Sequence, residues 1–240
     1  MVTGYWFAKA SADGEVRLPH GDGRLVRVGE RLSVAPPIIL CTHGLHASRS
    51  IFDALRYAPG PVLALVRLEG TIIEDTVKCA AETRTVLWME DVSKVLHLAA
   101  CDFAERALIR EEEAGRAVDP RSWDAIQLTR AWIRGETSKA AWATAEAAAE
   151  DAWAAAWDAG RAAAAWAAAA EAAAEAAWAA TWAAAWDAAW AAAWAAARAA
   201  ARAAAESAAW TAAWAAERAW QETHLLEMLH QAGMPAIPNP

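Results

Sequence analysis

The residues best suited to chemistry are gathered in one short stretch, which runs from Cys41 to Ser48 with the sequence CTHGLHAS. Cys41, His43 and His46 offer one thiolate and two imidazoles, which are ligands that zinc prefers. A zinc site needs a fourth ligand, or three ligands and a water, and no second cluster of such residues follows nearby in the sequence. We therefore expect neither a bound metal nor a cofactor.

The same stretch allows two other interpretations, and the sequence alone leaves both open. Cys41 could be a nucleophile that is activated by either histidine. Alternatively, the stretch is a turn from a strand into a helix, in which Gly44 permits an unusual backbone angle and a histidine side chain bonds to the main chain. No residue is assigned a catalytic role on this evidence.

Residues 1–90 predict a small domain of mixed strands. Short apolar or alternating runs, separated by glycine and proline, are typical of strands and turns. One short helix is expected after Ser50, which serves as its N-cap, with Asp53 in a favourable position in the first turn. The strands are expected at residues 5–8, 25–28, 38–41, 62–68, 71–73 and 85–89.

Beyond residue 90 the composition favours helix. Asp91 is a candidate cap for an amphipathic helix that ends before Gly115, and Asp119 followed by Pro120 predicts a second helix that runs to Gly135. We expect connecting helices over residues 91–136, an Ala/Trp-rich helical domain over 137–232 and a tail over 233–240. The fold class is therefore α+β, with a β-rich head followed by a helical bundle or one long helical hairpin.

The Ala/Trp-rich segment has a strict repeat, because from Trp178 onward a large residue stands at nearly every fourth position and alanine fills most others. Alanine is the best helix former. A step of four residues advances about 40° beyond a full helical turn, so the large side chains spiral around the helix and reach more than one neighbour. The indoles that we expect to mediate assembly are Trp178, Trp182, Trp186, Trp190, Trp194, Trp210 and Trp214.

The chain contains 16 tryptophans, and it has few other large apolar groups to cover them. Indoles left in water at this density form a patch larger than soluble monomers tolerate, so the repeat predicts a homo-oligomer. Two alternatives remain: an expanded simple repeat that is tolerated as a solvated helix, or a surface that stacks on nucleobases. The scarcity of lysine and arginine nearby disfavours the second.

Net charge and composition indicate which classes of partner the protein binds and in which cellular compartment it is found. The formal net charge is −8, which argues against a general nucleic-acid binder. Asp187 lies within the least charged stretch, and tryptophan prefers the membrane interface, so we expect no membrane span. The chain has three cysteines, an odd number without close pairing, and its first residues show no leader-like pattern. Both features predict a cytoplasmic protein.

Several short motifs in the first hundred or so residues resemble a known family. The sequences GLHAS at 44–48, DALRYAPG at 53–60, EGTI at 69–72, Lys78 and TVLW at 85–88 are similar to a domain of unknown function found in phage and bacterial proteins. In several of those proteins a tail rich in Ala, Trp, Arg and Asp follows and ends in a sequence like LLEML, as at 225–229 here. The resemblance implies a phage or mobile-element origin and no assigned activity.

These observations lead to one functional hypothesis and two alternatives. The first is a non-enzymatic interaction protein, which assembles through its Ala/Trp helices and recognises a host protein or a ligand with its head domain. The alternatives are a nucleotide-binding sponge and an enzyme that resembles ADP-ribosyltransferases and acts on a nicotinamide dinucleotide, with Glu69 or Glu74 among its site residues. The expected ligand-binding residues are Tyr5, His43, His46, Ser48, Tyr57 and Lys78.

Overall fold

A computed structural model describes residues 1–18, 23–115, 117–138, 140–141, 144 and 208–236, with the backbone alone for 208–213. The chain divides into two compact units, Met1–Ser93 with Leu229–Pro240, and Lys94–Met228. Five strands and one short helix form the first: β1 Val2–Ala8, β2 Arg31–Ser33, β3 Leu45–Ala47, α1 Ile51–Leu55, β4 Val62–Glu74 and β5 Cys79–Asp91. The residues described after this unit include the longer helices α2 Ser93–Glu113, α3 Pro120–Ile133 and α4 Ala208–Gln231.

The five strands form one antiparallel sheet in the order β1-β4-β5-β2, and β3 pairs with β5 beside β2. Directly after β3, Ser48 bridges back to Tyr5 of β1. The backbone N–H of each residue donates to the carbonyl oxygen of the other, at 2.8 and 2.9 Å. Strands β1, β4, β5 and β3 therefore close into a ring of paired backbone. The antiparallel sheet and the helices together confirm the predicted α+β class.

A glycine permits this closure. A Cβ atom at Gly4 would lie 2.7 Å from the carbonyl oxygen of Ser48, so any side chain there would push the two strands apart. The long strand β4 bends at two irregularities, between Leu65 and Val66 and between Glu69 and Ile72. Such bulges increase the local twist that closure of a small sheet requires.

The core of the first unit lies on the inner face of this ring. Strand β4 is buried over residues 62–68 except for the half-buried Arg67, and β5 over residues 79–86 except for the half-buried Glu82. Their runs of Val, Leu and Ala predict this burial. Cross-strand pairs such as Val66 with Val86 place apolar side chains side by side on the inner face. The buried members of this core include Ala8, Val16, Val26, Leu32, Leu45, Val62, Val66, Leu68 and Val86.

Several predicted elements differ from the observed ones. The strand expected at 25–28 is only a bridge from Leu25 to Arg17, and the one expected at 38–41 is a turn closed by a bridge from Ile39 to His43. Strands β2 and β3 were not predicted. Both are three residues long and pair with β5, so tertiary pairing and not local propensity stabilises them. Ser50 precedes α1, but its side chain accepts no capping hydrogen bond from the helix.

The predicted helix ends are mostly confirmed. Asp119 accepts a hydrogen bond from the N–H of Arg121 at 2.9 Å, and Pro120 is the first helical residue of α3. Asp91 accepts the N–H of Ser93 at 2.8 Å at the start of α2. The chain leaves α4 through Gly233, which has a φ of +103° that suits glycine at a helix C-terminus.

Within the second unit, a polar network joins α2, α3 and α4. The carboxylate of Asp102 on α2 accepts from Nη2 of Arg130 at 2.6 Å and from Nε2 of His224 at 2.8 Å. The His224 ring stacks on Trp220 with a centroid distance of 5.0 Å. Because it links one residue from each helix, this network fixes how the three helices pack.

A second carboxylate in this unit is buried. The side chain of Glu217 is 1% exposed and pairs with Arg106 at 3.2 Å and with Arg110. The guanidinium of Arg106 also lies 4.0 Å from the centre of the Trp220 ring. Glu217 thus neutralises two cations of α2 from α4.

Most of the tryptophans that we expected to mediate assembly lie outside the described residues, namely Trp178, Trp182, Trp186, Trp190 and Trp194. The backbone of Trp210 belongs to α4, and the half-buried Trp214 has the guanidinium of Arg218 5.6 Å from its ring centre. Among the helices that the structure describes, none has the length and apolar character needed to cross a membrane.

Candidate ligand-binding site

The first unit contains a cavity of about 400 Å³. Five of the six ligand-binding residues expected from the sequence line it: Tyr5, His46, Ser48, Tyr57 and Lys78. They come from β1, from β3 and the residue after it, from the segment after α1 and from the turn before β5. The bridge between Tyr5 and Ser48 brings the first two of these elements into contact.

His43 is the predicted residue that lies elsewhere. Its Nε2 atom is 2.6 Å from the carbonyl oxygen of Ala35, and because a carbonyl only accepts, the nitrogen donates. His43 therefore ties the loop before β3 to the chain near Ala35. This matches the interpretation in which a histidine of this stretch bonds to the main chain.

Five other residues line the cavity and are not among the expected set: Trp6, Phe7, Cys41, Ala47 and Ala54. Trp6 and Phe7 join Tyr5 and Tyr57, so the wall carries four Phe, Tyr or Trp rings. The sequence does carry a signal for two of them, because Tyr5, Trp6 and Phe7 are consecutive aromatic residues in a predicted strand. Alternation along a strand sends neighbours to opposite faces, so the sequence does not show that all three reach one cavity.

A cation and an aromatic ring face each other on the wall. The Nζ atom of Lys78 lies 4.6 Å from the centre of the Tyr57 ring, and Tyr57 is 52% exposed. A hydrogen bond to Cys41, assisted by Tyr57, raises the pKa of Lys78 above its ordinary value. Lys78 is therefore charged at neutral pH.

A tight turn presents Lys78 to the cavity. The Oδ1 atom of Asp75 accepts the backbone N–H groups of Val77 and Lys78, both at 2.8 Å. These two hydrogen bonds lower the pKa of Asp75, because they stabilise its ionised form. Asp75 thus holds the turn without lining the cavity.

The histidine on the wall is engaged through its ring. Nε2 of His46 accepts the backbone N–H of Cys41 at 3.1 Å, which requires an unprotonated Nε2. Cys41 itself has a φ of +66° and an exposed side chain. Among the residues that the structure describes, no three His, Cys, Asp or Glu side chains are grouped to hold a metal ion.

Behind the wall lies a buried arginine that sequence reasoning missed. The guanidinium of Arg84 on β5 lies 3.8 Å from the centre of the Trp6 ring, and its Nη1 donates to the carbonyl oxygen of His46 at 2.9 Å. Arg84 is 2% exposed, and its Nε and Nη2 have no hydrogen-bond partner among the described residues. Burial lowers its pKa to about 9, so it is still a cation at pH 7.

The two glutamates considered for transferase chemistry are engaged elsewhere. Glu69 pairs with Arg67 at 3.6 Å and with Arg31 at 3.8 Å. Glu74 forms a bidentate pair with Arg49 at 2.9 Å. Neither glutamate belongs to the lining of the cavity, which holds no carboxylate within the described part of the chain.

Comparisons with protein-family models, with curated proteins and with solved structures found no match for this chain. The resemblance of its head motifs to the phage and bacterial domain therefore stays a prediction. The same holds for the nucleotide-binding and transferase-like alternatives and for the cytoplasmic location.

Proposed function

We propose that the first unit is the recognition module of a non-enzymatic interaction protein, and that it binds a small molecule containing a planar aromatic ring, such as a nucleotide. The observation that carries this proposal is the convergence of Tyr5, Trp6 and Tyr57 with the ammonium group of Lys78 on one cavity. Its volume of about 400 Å³ falls in the range of small-molecule sites.

The chemistry of the wall favours a flat ring. Aromatic side chains stack on nucleobases, and each stacked base contributes about 1 to 3 kcal/mol by alanine substitution. Tyr57 is the most accessible of these rings, since 52% of it is exposed, and Lys78 lies beside it. A ring held against Tyr57 would bring its polar substituents within reach of the ammonium group.

The same wall supports binding without turnover. A transferase that acts on a nicotinamide dinucleotide needs a group that stabilises the developing positive charge or activates the acceptor, and a carboxylate is the ordinary choice. Glu69 and Glu74, the two candidates, are paired with arginines and do not line the cavity. We expect the dinucleotide to remain intact after prolonged incubation with the protein.

Isothermal titration calorimetry of the full chain tests the proposal. The probes are adenosine, adenosine monophosphate, uridine monophosphate and nicotinamide mononucleotide. We expect at least one to bind with one site per chain, and the variant Tyr57→Ala to weaken that binding by about tenfold or more because a stacking ring is lost. The absence of heat with every probe at millimolar concentration would contradict the proposal.

A matched pair of lysine variants controls for charge. Lys78→Ala removes the cation on the wall, whereas Lys9→Ala removes an exposed lysine that does not line the cavity. We expect weaker binding only in the first variant. An equal loss in both would indicate that overall charge, and not the cavity, determines binding.

Assembly through the Ala/Trp-rich segment, as a helical bundle or a long hairpin, is the second half of the proposed function. It rests on the repeat of large side chains from Trp178 onward and on the cost of exposing so many indoles. Light scattering after size exclusion tests it: an oligomer is expected. A monomer that stays soluble at high concentration would contradict assembly, and it would leave the ligand proposal unaffected.

A further inference from the structure

The structure holds a buried positive charge next to the candidate site, and no carboxylate of the described residues balances it. Arg84 forms no ion pair with any residue that the structure describes, and two of its nitrogens lack hydrogen-bond partners. A charge taken out of water is costly unless it is paired. The face of the Trp6 ring and the carbonyl oxygen of His46 partly compensate the charge of Arg84.

The two residues that partly compensate the charge of Arg84, Trp6 and His46, also line the cavity. The Trp6 ring lies 3.8 Å from the guanidinium carbon, and the carbonyl of His46 accepts its Nη1. A ligand that touches Trp6 or His46 is thus separated from the cation by a single residue. Because the surroundings are buried and apolar, the field of the charge is weakly screened over that distance.

We infer that the natural ligand is an anion, namely an aromatic ring that carries a negatively charged group, as in a nucleoside monophosphate. We also infer that Arg84 sets the preference for this anion. Both inferences rest on the proposed function. Arg84 is a positioning and specificity residue: it acts through Trp6 and His46 and need not touch the ligand. Lys78 supplies a further positive charge on the wall itself, and the described lining residues include no carboxylate that would repel an anion.

The size of the expected preference depends on the distance between the guanidinium of Arg84 and the charged group of the ligand. Two unit charges about 8 Å apart at an effective dielectric constant near 20 attract each other enough to change affinity by about 30-fold. Without a ligand, the unpaired charge works against folding. Its replacement by a methionine of similar length is therefore expected to raise the thermal stability of the free protein while it weakens anion binding.

Calorimetry with matched probes on the full chain tests the inference. Each pair differs mainly in charge: adenosine monophosphate against adenosine, and nicotinate against nicotinamide. The wild type is expected to bind the charged member about tenfold or more tightly. Arg84→Met is expected to remove most of this preference, because the affinity for the charged member falls more than the affinity for the neutral member. Arg84→Lys, which keeps the charge, is expected to retain it.

The control variant is Arg31→Met, which removes an exposed arginine of β2 outside the cavity wall and is expected to keep the full preference. Equal affinities of the wild type for both members of each pair would overturn the inference while the proposed function stands. A preference that survives in Arg84→Met but disappears in Lys78→Ala would also overturn it. Failure of every probe to bind would overturn both proposals together. The wild-type comparison decides the matter even where Arg84→Met does not fold.

Discussion

The Nζ atom of Lys78 lies 4.6 Å from the centre of the Tyr57 ring, although Tyr57 belongs to the segment after α1 and Lys78 to the turn before β5. This contact joins a cation and an exposed ring on one wall of a cavity. Ligand binding at this wall requires that geometry, and the turn that carries Lys78 maintains it.

Asp75 holds Lys78 in place through two backbone hydrogen bonds of 2.8 Å. Asp75→Ala is expected to weaken ligand binding severalfold because the turn loosens, although Asp75 does not line the cavity. Asp75→Asn keeps an oxygen acceptor, so it is expected to bind nearly as tightly as the wild type. Calorimetry of the three proteins with adenosine monophosphate measures this, and equal affinities in all three would show that the turn does not depend on Asp75.

Gly4 is expected to be intolerant of any side chain, because a Cβ there would approach the carbonyl oxygen of Ser48 to 2.7 Å. Gly4→Ala is expected to destabilise the first unit by about 1 to 3 kcal/mol, as overpacking of a close contact does. Thermal and denaturant unfolding measure the loss. Unchanged stability would mean that β1 and Ser48 move apart at little cost.

The sequence predicts some residues of this site and misses others. The residue types at Tyr5, His46, Ser48, Tyr57 and Lys78 indicated polar and aromatic chemistry, and all five line one cavity. The sequence does not reveal Arg84, since an arginine in a strand is ordinarily expected to face solvent. Its burial depends on the closure of β3 onto β1, which is a long-range contact with no local signal.

The same contrast holds for the fold. The strong apolar runs of β4 and β5 predict strands, and Asp119 before Pro120 predicts the start of α3, because both signals are local. Strands β2 and β3 are short segments that pair with β5 and lack a strong pattern of their own. Pairing with β5 decides whether they form, so the sequence patterns do not predict them.

The buried Glu217 is expected to be essential for the packing of the second unit. Glu217→Ala would leave Arg106 and Arg110 without their shared partner, at a cost of about 2 kcal/mol or more, since the carboxylate is buried although the arginines are partly exposed. Glu227→Ala removes an exposed glutamate of the same helix and is expected to change stability by no more than about 0.5 kcal/mol. Denaturant unfolding followed by circular dichroism compares the two variants, and equal effects would contradict the role of the buried pair.

The N-cap of α3 gives a prediction about pH. Hydrogen bonds from the side chain and the backbone of Arg121 lower the pKa of Asp119 below its ordinary 3.8. Because the folded state binds the proton more weakly, this stabilisation is present above about pH 4 and is lost as pH falls through the lowered value. Asp119→Ala is expected to cost about 1 kcal/mol at pH 7.

Asp119→Asn keeps a capping oxygen without a titrating group, so it serves as the control. The stability advantage of the wild type over this variant is expected to shrink as the solution is acidified below about pH 4. Urea unfolding followed by circular dichroism at 222 nm gives the free energy of unfolding of both proteins. The measurement has to resolve a difference of about 0.5 kcal/mol. An advantage that does not change with pH would contradict the assigned cap.

The three cysteines are expected to differ sharply in reactivity. Cys41 is exposed on the cavity wall, whereas Cys79 and Cys101 are buried. Burial raises the pKa of Cys79 and raises that of Cys101 to about 12, so neither is a thiolate near neutral pH. An aromatic disulfide reagent is expected to label one thiol per native chain at pH 8, and none in Cys41→Ser. Rapid labelling of two or three thiols would contradict the burial.

The rate at which Cys41 is labelled, measured with and without saturating adenosine monophosphate, tests the central claim most directly, because Cys41 lies on the wall of the proposed site. The account predicts that the nucleotide slows labelling of Cys41 in the wild type, and that Tyr57→Ala needs more nucleotide for the same protection. A labelling rate that stays constant while calorimetry records binding would place the ligand elsewhere and contradict the account.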